Sequence, residues 1–152
     1  MSTNANDIDV LNDLIETVID SADGYSHAIK ETEASRFSEI FARRGAERHT
    51  LTRELQSQVR MLGGTPEDDG TLLASAHRMF LNLRHAVAGG DTAVIDEVEA
   101  GEDHIKAKFE DAMANKNVSP AIQMIIAEAY ATVKEGHDEI RDLKHAVHGG
   151  ER

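Results

Sequence analysis

The chain of 152 residues contains no cysteine, no tryptophan and only two prolines. Without cysteine it cannot form a disulfide bond, a thiolate nucleophile, an iron–sulfur cluster or a cysteine-ligated zinc site. Aromatic residues make up only 4% of the chain, and alanine, glutamate, leucine, isoleucine and valine are abundant. This composition favours helices over a β-sandwich or a β-barrel. We therefore expect an all-α fold.

Long apolar runs are also missing from the sequence. No stretch approaches the roughly 20 apolar residues of a membrane span, and residues 1–9 lack the apolar run of a signal peptide. We expect a cytoplasmic protein that does not associate with membranes. The formal net charge is −12 at pH 7, which repels phosphate groups, so we expect no nucleic-acid partner.

The apolar residues that are present recur at steps of three and four, which indicates amphipathic helices. With 40% hydrophobic and 29% charged residues, the chain can build one core, so we expect a single domain over 1–152 with disordered ends at about 1–6 and 149–152. Gly63-Gly64-Thr65-Pro66 is a helix stop, and Ser119-Pro120 is a helix start. The predicted helices span about 7–30, 37–62, 72–87, 91 to 115–117, and 120–147.

The helix predicted over 72–87 is shorter than the other four. At about 1.5 Å per residue it reaches roughly 25 Å, enough to carry the chain from one end of a bundle to the other. It could therefore serve as the crossover between the second and third long helices of a ferritin-like bundle. The alternative is an up-down array of five helices, and connection lengths do not decide between the two.

Four polar residues interrupt the apolar stripes at positions that should face the interior: Arg48, Glu102, Lys134 and His137. Burying a charge without a partner costs several kcal/mol, so such residues should pair. One interpretation is an internal ion pair of Glu102 with Arg48 or Lys134. The alternative is that Arg48 and Lys134 extend to the surface and His137 packs as a hydrogen-bonded core residue.

Several short motifs follow one another along the chain in a recognisable order. They are Leu11-Asn12-Asp13-Leu14-Ile15, Tyr25, His27-Ala28, Leu62-Gly63-Gly64-Thr65-Pro66, His77-Arg78, Gly101-Glu102-Asp103 and Glu135-Gly136-His137. Taken together, they make the chain resemble bacterioferritin- and rubrerythrin-type bundles, and it is similar to a bacterial four-helix-bundle family of unknown function within the ferritin-like superfamily.

Ferritin-like proteins hold two iron ions with a Glu on each of two helices and a Glu-x-x-His on each of the other two. The resemblance places Val18, Arg48 and Lys134 at three of these Glu positions, and Leu51 at one His position. Shifting the second helix by one residue offers Glu47 with Thr50, which still lacks the imidazole. Glu102 and His137 remain as the two retained metal-ligand positions.

Two functional hypotheses follow from this altered site. The first is a non-enzymatic bundle without a cofactor, in which an internal ion pair replaces the metal; its possible stress-related role comes only from analogy with ferritin-like families. The second is an iron- or manganese-binding oxidoreductase or iron-handling protein. In that case Glu102 and His137 would act with carboxylates such as Asp13, Glu16, Asp20 or Glu47. The enzyme question stays open, with a non-enzymatic function favoured.

A remote third hypothesis is a histidine phosphotransfer module, because His27 precedes Lys30 by three residues. For partners, we expect a homo-oligomer, namely a dimer, or another protein. Val10, Leu14 and Ile19 widen the apolar band of the first helix, where such pairing could occur.

Overall fold

The structure is a computed structural model that describes residues 2–32, 34–70 and 90–149. Its described part contains four α-helices and no strand, so the all-α prediction is confirmed. No helix in this part combines the length and the apolar character needed to cross a membrane. The helices are α1 (Ser2–Glu31), α2 (Ser35–Met61), α3 (Asp91–Ala114) and α4 (Pro120–Gly149).

The predicted helix stop at Gly63 is confirmed. The Gly63 N–H donates to the Arg60 carbonyl and the Gly64 N–H donates to the Val59 carbonyl, which is the Schellman arrangement. Gly63 has a φ of 84°, a conformation that glycine adopts without steric cost. The stop thus follows from local sequence alone.

The first helix begins at Ser2, so residues 2–6, which were expected to be disordered, are helical. Two tertiary contacts hold this segment. The Asn4 amide donates to the Leu62 carbonyl at 3.0 Å, and the Asp7 carboxylate accepts from the Ser119 backbone and hydroxyl at 2.9 and 2.7 Å. Such long-range contacts cannot be read from the periodicity of one segment.

The same kinds of contact give the helix directions. The Ala34 N–H donates to the Asp91 carboxylate at 3.0 Å, so α2 and α3 begin at the same end of the bundle. The contact between Asp7 and Ser119 places the start of α1 beside the loop that joins α3 and α4. α1 therefore runs antiparallel to α2 and α3, and α2 and α3 are parallel.

Beyond α2 the chain turns back along α1. The Asn12 side chain donates to the Thr65 carbonyl at 3.1 Å and accepts from the Glu67 N–H at 2.9 Å. Further on, Gly70 lies against the carboxylate of Asp20. Residues 65–70 thus lead away from the end of α2. The short helix predicted over 72–87 lies outside the described residues.

The core consists of two apolar clusters, one at each end of the bundle. The larger cluster includes Leu11, Leu55 and Phe109, and the smaller one includes Phe41 and Ile95. Between them, several of the inward-facing positions of the four helices are polar or glycine. This polar layer, which separates the two clusters, consists of Ser21, Arg48, Glu102, Gly136 and His137.

Candidate functional site

The centre of the polar layer is an ion pair between α2 and α3. Arg48 is fully buried and Glu102 is 2% exposed. Nη2 of Arg48 lies 2.9 Å from Oε1 of Glu102 and donates to Oε2 at 3.0 Å. Both charges are removed from water, so each depends on the other for compensation.

α1 contributes two hydroxyl groups to this pair. The Tyr25 hydroxyl donates to Oε1 of Glu102, and Nη1 of Arg48 donates to Oγ of Ser21 at 2.9 Å. The Arg48 guanidinium also lies 5.8 Å from the centre of the Tyr25 ring, within range of a cation–π contact. Sequence reasoning missed both hydroxyl groups. Ser21 and Tyr25 lie four residues apart, which puts them on one face of α1.

Burial raises the pKa of the Tyr25 phenol well above 10.0, and the negative charge of Glu102 raises it further. The phenol therefore stays protonated, and its hydrogen remains available to the carboxylate. We name Ser21, Tyr25, Arg48 and Glu102 the internal cluster. Three helices contribute to the internal cluster, so its formation requires the assembled bundle.

Two glycines inside helices make room for the internal cluster. A Cβ atom on Gly136 of α4 would lie 2.5 Å from Nη2 of Arg48, which is closer than contact distance. A Cβ atom on Gly45 of α2 would lie 3.2 Å from Cβ of Tyr25. A glycine within a helix costs about 0.5–1 kcal/mol relative to alanine, and here it permits close packing. In the sequence, a glycine inside a predicted helix is the feature that could have indicated close packing at this level of the bundle.

A second arginine joins α2 to α4 beside the internal cluster. The Arg44 side chain is 4% exposed, and it lies 2.7 Å from Glu47 and 2.7 Å from Glu139. Arg43 also lies 2.9 Å from Glu139. Burial by itself would raise the pKa of Glu139, but the hydrogen bonds from Arg43 and Arg44 outweigh it and lower that pKa. The carboxylate of Glu47, considered above as a metal ligand, thus forms an ion pair with Arg44.

His137 forms its hydrogen bonds with carboxylates other than Glu102. Its Nε2 lies 2.8 Å from Asp103 on α3, and its Nδ1 lies 3.1 Å from Asp138 on α4. The residue is 8% exposed, so it is buried as the sequence pattern indicated. Glu102 and His137, the residues at the two retained metal-ligand positions, therefore form hydrogen bonds with different partners.

Lys134 does not join the internal cluster, and the expectation that it could pair with Glu102 is corrected here. Its side chain is 52% exposed, and its ammonium group lies 2.8 Å from Asp138. Lys134 follows the buried Val133 by one residue, a turn of about 100° that directs it to the surface. Hydrogen bonds from Lys134 and from His137 lower the pKa of Asp138 to about 2.

The donor groups present do not fit a two-iron centre. Both oxygens of Glu102 are taken by Arg48 and Tyr25, and the two ring nitrogens of His137 face separate carboxylates. Within residues 2–32, 34–70 and 90–149, no three His, Asp or Glu side chains converge to hold a metal ion. A cationic guanidinium lies where a metal would need anionic ligands.

The remaining carboxylates of the metal hypothesis are on α1, and one of them, Asp20, lines a pocket that reaches Tyr25 and Glu102. Asp13 lies 3.4 Å from Lys108 of α3. Burial raises the pKa of Glu16, and the negative charges of Glu67, Asp13 and Asp20 raise it further. The negative charges of these groups repel one another. His27, the phosphotransfer candidate, is half-buried on the same helix.

A small pocket between α1 and α3 reaches Tyr25 and Glu102. Its volume is about 40 Å³, which is room for a few water molecules. Val98 and Ile105 form apolar walls, and Ser21 supplies a polar group. The space beside the internal cluster can thus hold a few water molecules next to Tyr25 and Glu102.

We predict that the two charges of the internal cluster are energetically coupled. Glu102→Gln should lower the free energy of unfolding by about 3–5 kcal/mol, because it leaves the Arg48 charge buried without a counter-charge. The double variant Arg48→Met/Glu102→Gln should lose less free energy of unfolding than the sum of the losses in the two single variants. Urea unfolding followed by circular dichroism measures all three variants.

The exposed pair Lys106 and Glu110, 2.8 Å apart, is the matched control. Lys106→Met and Glu110→Gln should each change the free energy of unfolding far less than Glu102→Gln does, because solvent screens a surface pair. A loss of under about 0.5 kcal/mol for Glu102→Gln would contradict a buried pair.

We also predict opposite effects of alanine at two helical glycines. Gly136→Ala should destabilise the protein by about 1–3 kcal/mol, because the added methyl group collides with Arg48. Gly101→Ala should stabilise it by about 0.5–1 kcal/mol, since no atom of the described residues outside its own helix lies within 4 Å of the new Cβ. Thermal melts of both variants measure the difference. Equal stabilisation by the two substitutions would contradict the crowding at Gly136.

Comparison with known proteins adds a family assignment. The family described as "Domain of unknown function (DUF2383)" matches residues 6–115, a stretch that includes Tyr25, Arg48 and Glu102. No curated protein gives a significant match. Because the match covers more than half of the chain, the protein belongs to the DUF2383 family.

Proposed function

We propose that this protein is a ferritin-like bundle in which the internal cluster occupies the structural position of a metal centre, and that it acts by binding protein and not as an enzyme. The observation that carries the proposal is the Arg48–Glu102 pair, which joins two helices at the middle of the bundle. α2 and α3 run parallel, as the second and third main helices do in bundles with a long crossover connection between them. This direction supports the proposal that the bundle is ferritin-like.

The charge of the internal cluster supports a structural role. A metal ion in a carboxylate site compensates the anionic ligands, and in this chain the Arg48 guanidinium compensates Glu102 directly. The hydroxyl groups of Tyr25 and Ser21 add one hydrogen bond each, to Glu102 and from Arg48, while Nε of Arg48 has no hydrogen-bond partner among the described residues. The cluster can therefore join three helices without any bound ion.

The same groups are poorly suited to catalysis. Catalysis by proton transfer needs a group whose pKa lies near the working pH and that can reach a substrate. The Tyr25 phenol stays protonated because of its raised pKa, and the Glu102 carboxylate is enclosed. We accordingly propose a non-enzymatic function for a cytoplasmic bacterial protein that self-associates. A stress-related role remains an analogy with ferritin-like families.

Metal content tests this proposal. The full chain should be purified without chelators from cells supplied with iron and manganese, alongside Glu102→Ala and His137→Ala variants, and analysed for both elements. We expect background metal in the unsubstituted protein and no change in either variant. Stoichiometric metal that is lost in both variants would contradict the proposal and favour iron or manganese chemistry.

A further inference from the structure

One donor of the internal cluster has no acceptor among the described residues. Arg48 is fully buried, its Nη1 donates to Ser21 and its Nη2 donates to Glu102. Nε of Arg48 is buried as well, and of the described residues it is the only buried side-chain nitrogen or oxygen without a hydrogen-bond partner. A buried N–H without an acceptor costs free energy, and in folded proteins ordered water is a usual partner for such a group.

The shape of the guanidinium gives the direction of the hydrogen on Nε. The group is planar, and this hydrogen lies on the same edge as one hydrogen of Nη2, because Nη2 is trans to Cδ. Arginine frequently presents two parallel N–H groups to one carboxylate. In this chain Nη2 alone contacts both oxygens of Glu102, at 2.9 Å from Oε1 and 3.0 Å from Oε2. The Nε hydrogen is therefore on the Glu102 side of the guanidinium.

Glu102 can accept another hydrogen bond. A carboxylate has about four lone-pair positions. Oε1 accepts from the Tyr25 hydroxyl and lies near Nη2 of Arg48, whereas Oε2 accepts only from Nη2 among the described residues. A molecule beside the pair could thus accept from Nε and donate to Oε2.

Size and charge restrict what this molecule can be. The pocket between α1 and α3 reaches Ser21, Tyr25 and Glu102, and its volume of about 40 Å³ admits a few water molecules. The charges of Arg48 and Glu102 compensate each other, and the Tyr25 phenol is neutral because of its raised pKa. A further ion would be buried without a counter-charge, which is unfavourable. A small neutral molecule that both donates and accepts is what fits, and water has these properties.

We propose that one ordered water molecule binds within the internal cluster, accepts the Nε hydrogen of Arg48 and donates to Oε2 of Glu102. The water completes the two-pronged contact with the carboxylate that Nη2 begins. Two polar partners are the number that a buried water needs at the least. The inference deepens the proposed function and rests on it, because it requires that the internal cluster holds no metal ion.

Nuclear magnetic resonance of the isotope-labelled full chain tests the proposal. In a rotating-frame Overhauser spectrum, the Nε hydrogen of Arg48 should show a dipolar cross-peak with water. Arg44 is the matched control, because its side chain is only 4% exposed but its Nε donates to Glu139 at 2.7 Å. We expect no such cross-peak for the Arg44 Nε hydrogen. Chemical exchange with solvent gives cross-peaks of the opposite sign, so the two processes are separated.

A Ser21→Ala variant excludes a signal relayed through the Ser21 hydroxyl and should keep the Arg48 cross-peak. The water site would be overturned by a missing cross-peak, by its loss in Ser21→Ala, or by an equal cross-peak at Arg44. Rapid exchange of the Arg48 Nε hydrogen with solvent would overturn it as well. The metal analysis decides the proposed function separately: stoichiometric metal overturns that function, whereas background metal without the Arg48 cross-peak overturns the water site alone.

Discussion

The buried pair of Arg48 and Glu102 constrains the rest of the structure more than any other interaction. Removing two charges from water costs several kcal/mol per ion, and their attraction offsets this only with good geometry and further hydrogen bonds. Tyr25 and Ser21 supply those bonds from α1, and Gly136 admits the guanidinium from α4. All four helices must therefore meet at one level, which separates the core into two apolar clusters.

Much of the fold could be predicted from the sequence because helical periodicity and helix stops are local signals. The stop at Gly63 and the start at Pro120 are examples, and both occur in the structure. The start of α1 at Ser2 was missed because Asn4 and Asp7 are held by Leu62 and Ser119, which are distant in sequence.

The candidate site was predictable only in part, for physical reasons. Arg48 and Glu102 interrupt apolar stripes where a charge must find a partner, so their inward direction follows from periodicity. Tyr25 fits its stripe as an aromatic core residue, and nothing local reveals the partner of its hydroxyl. Lys134 was misplaced because it adjoins the inward-facing Val133, and one residue along a helix is enough to turn a side chain to solvent.

The central claim is that Tyr25 is a buried, protonated donor to Glu102, and spectrophotometric titration tests it directly. The chain has two tyrosines, so a Tyr130→Phe variant leaves Tyr25 as the only phenol. The pKa of Tyr25 is raised well above 10.0 in the folded state, so the neutral phenol contributes its full stability below about pH 10. This stability is lost as the pH rises towards the raised pKa. We predict that the Tyr25 phenol ionises only when the protein unfolds and its helix signal is lost. Ionisation near pH 10 with the helices intact would contradict the account.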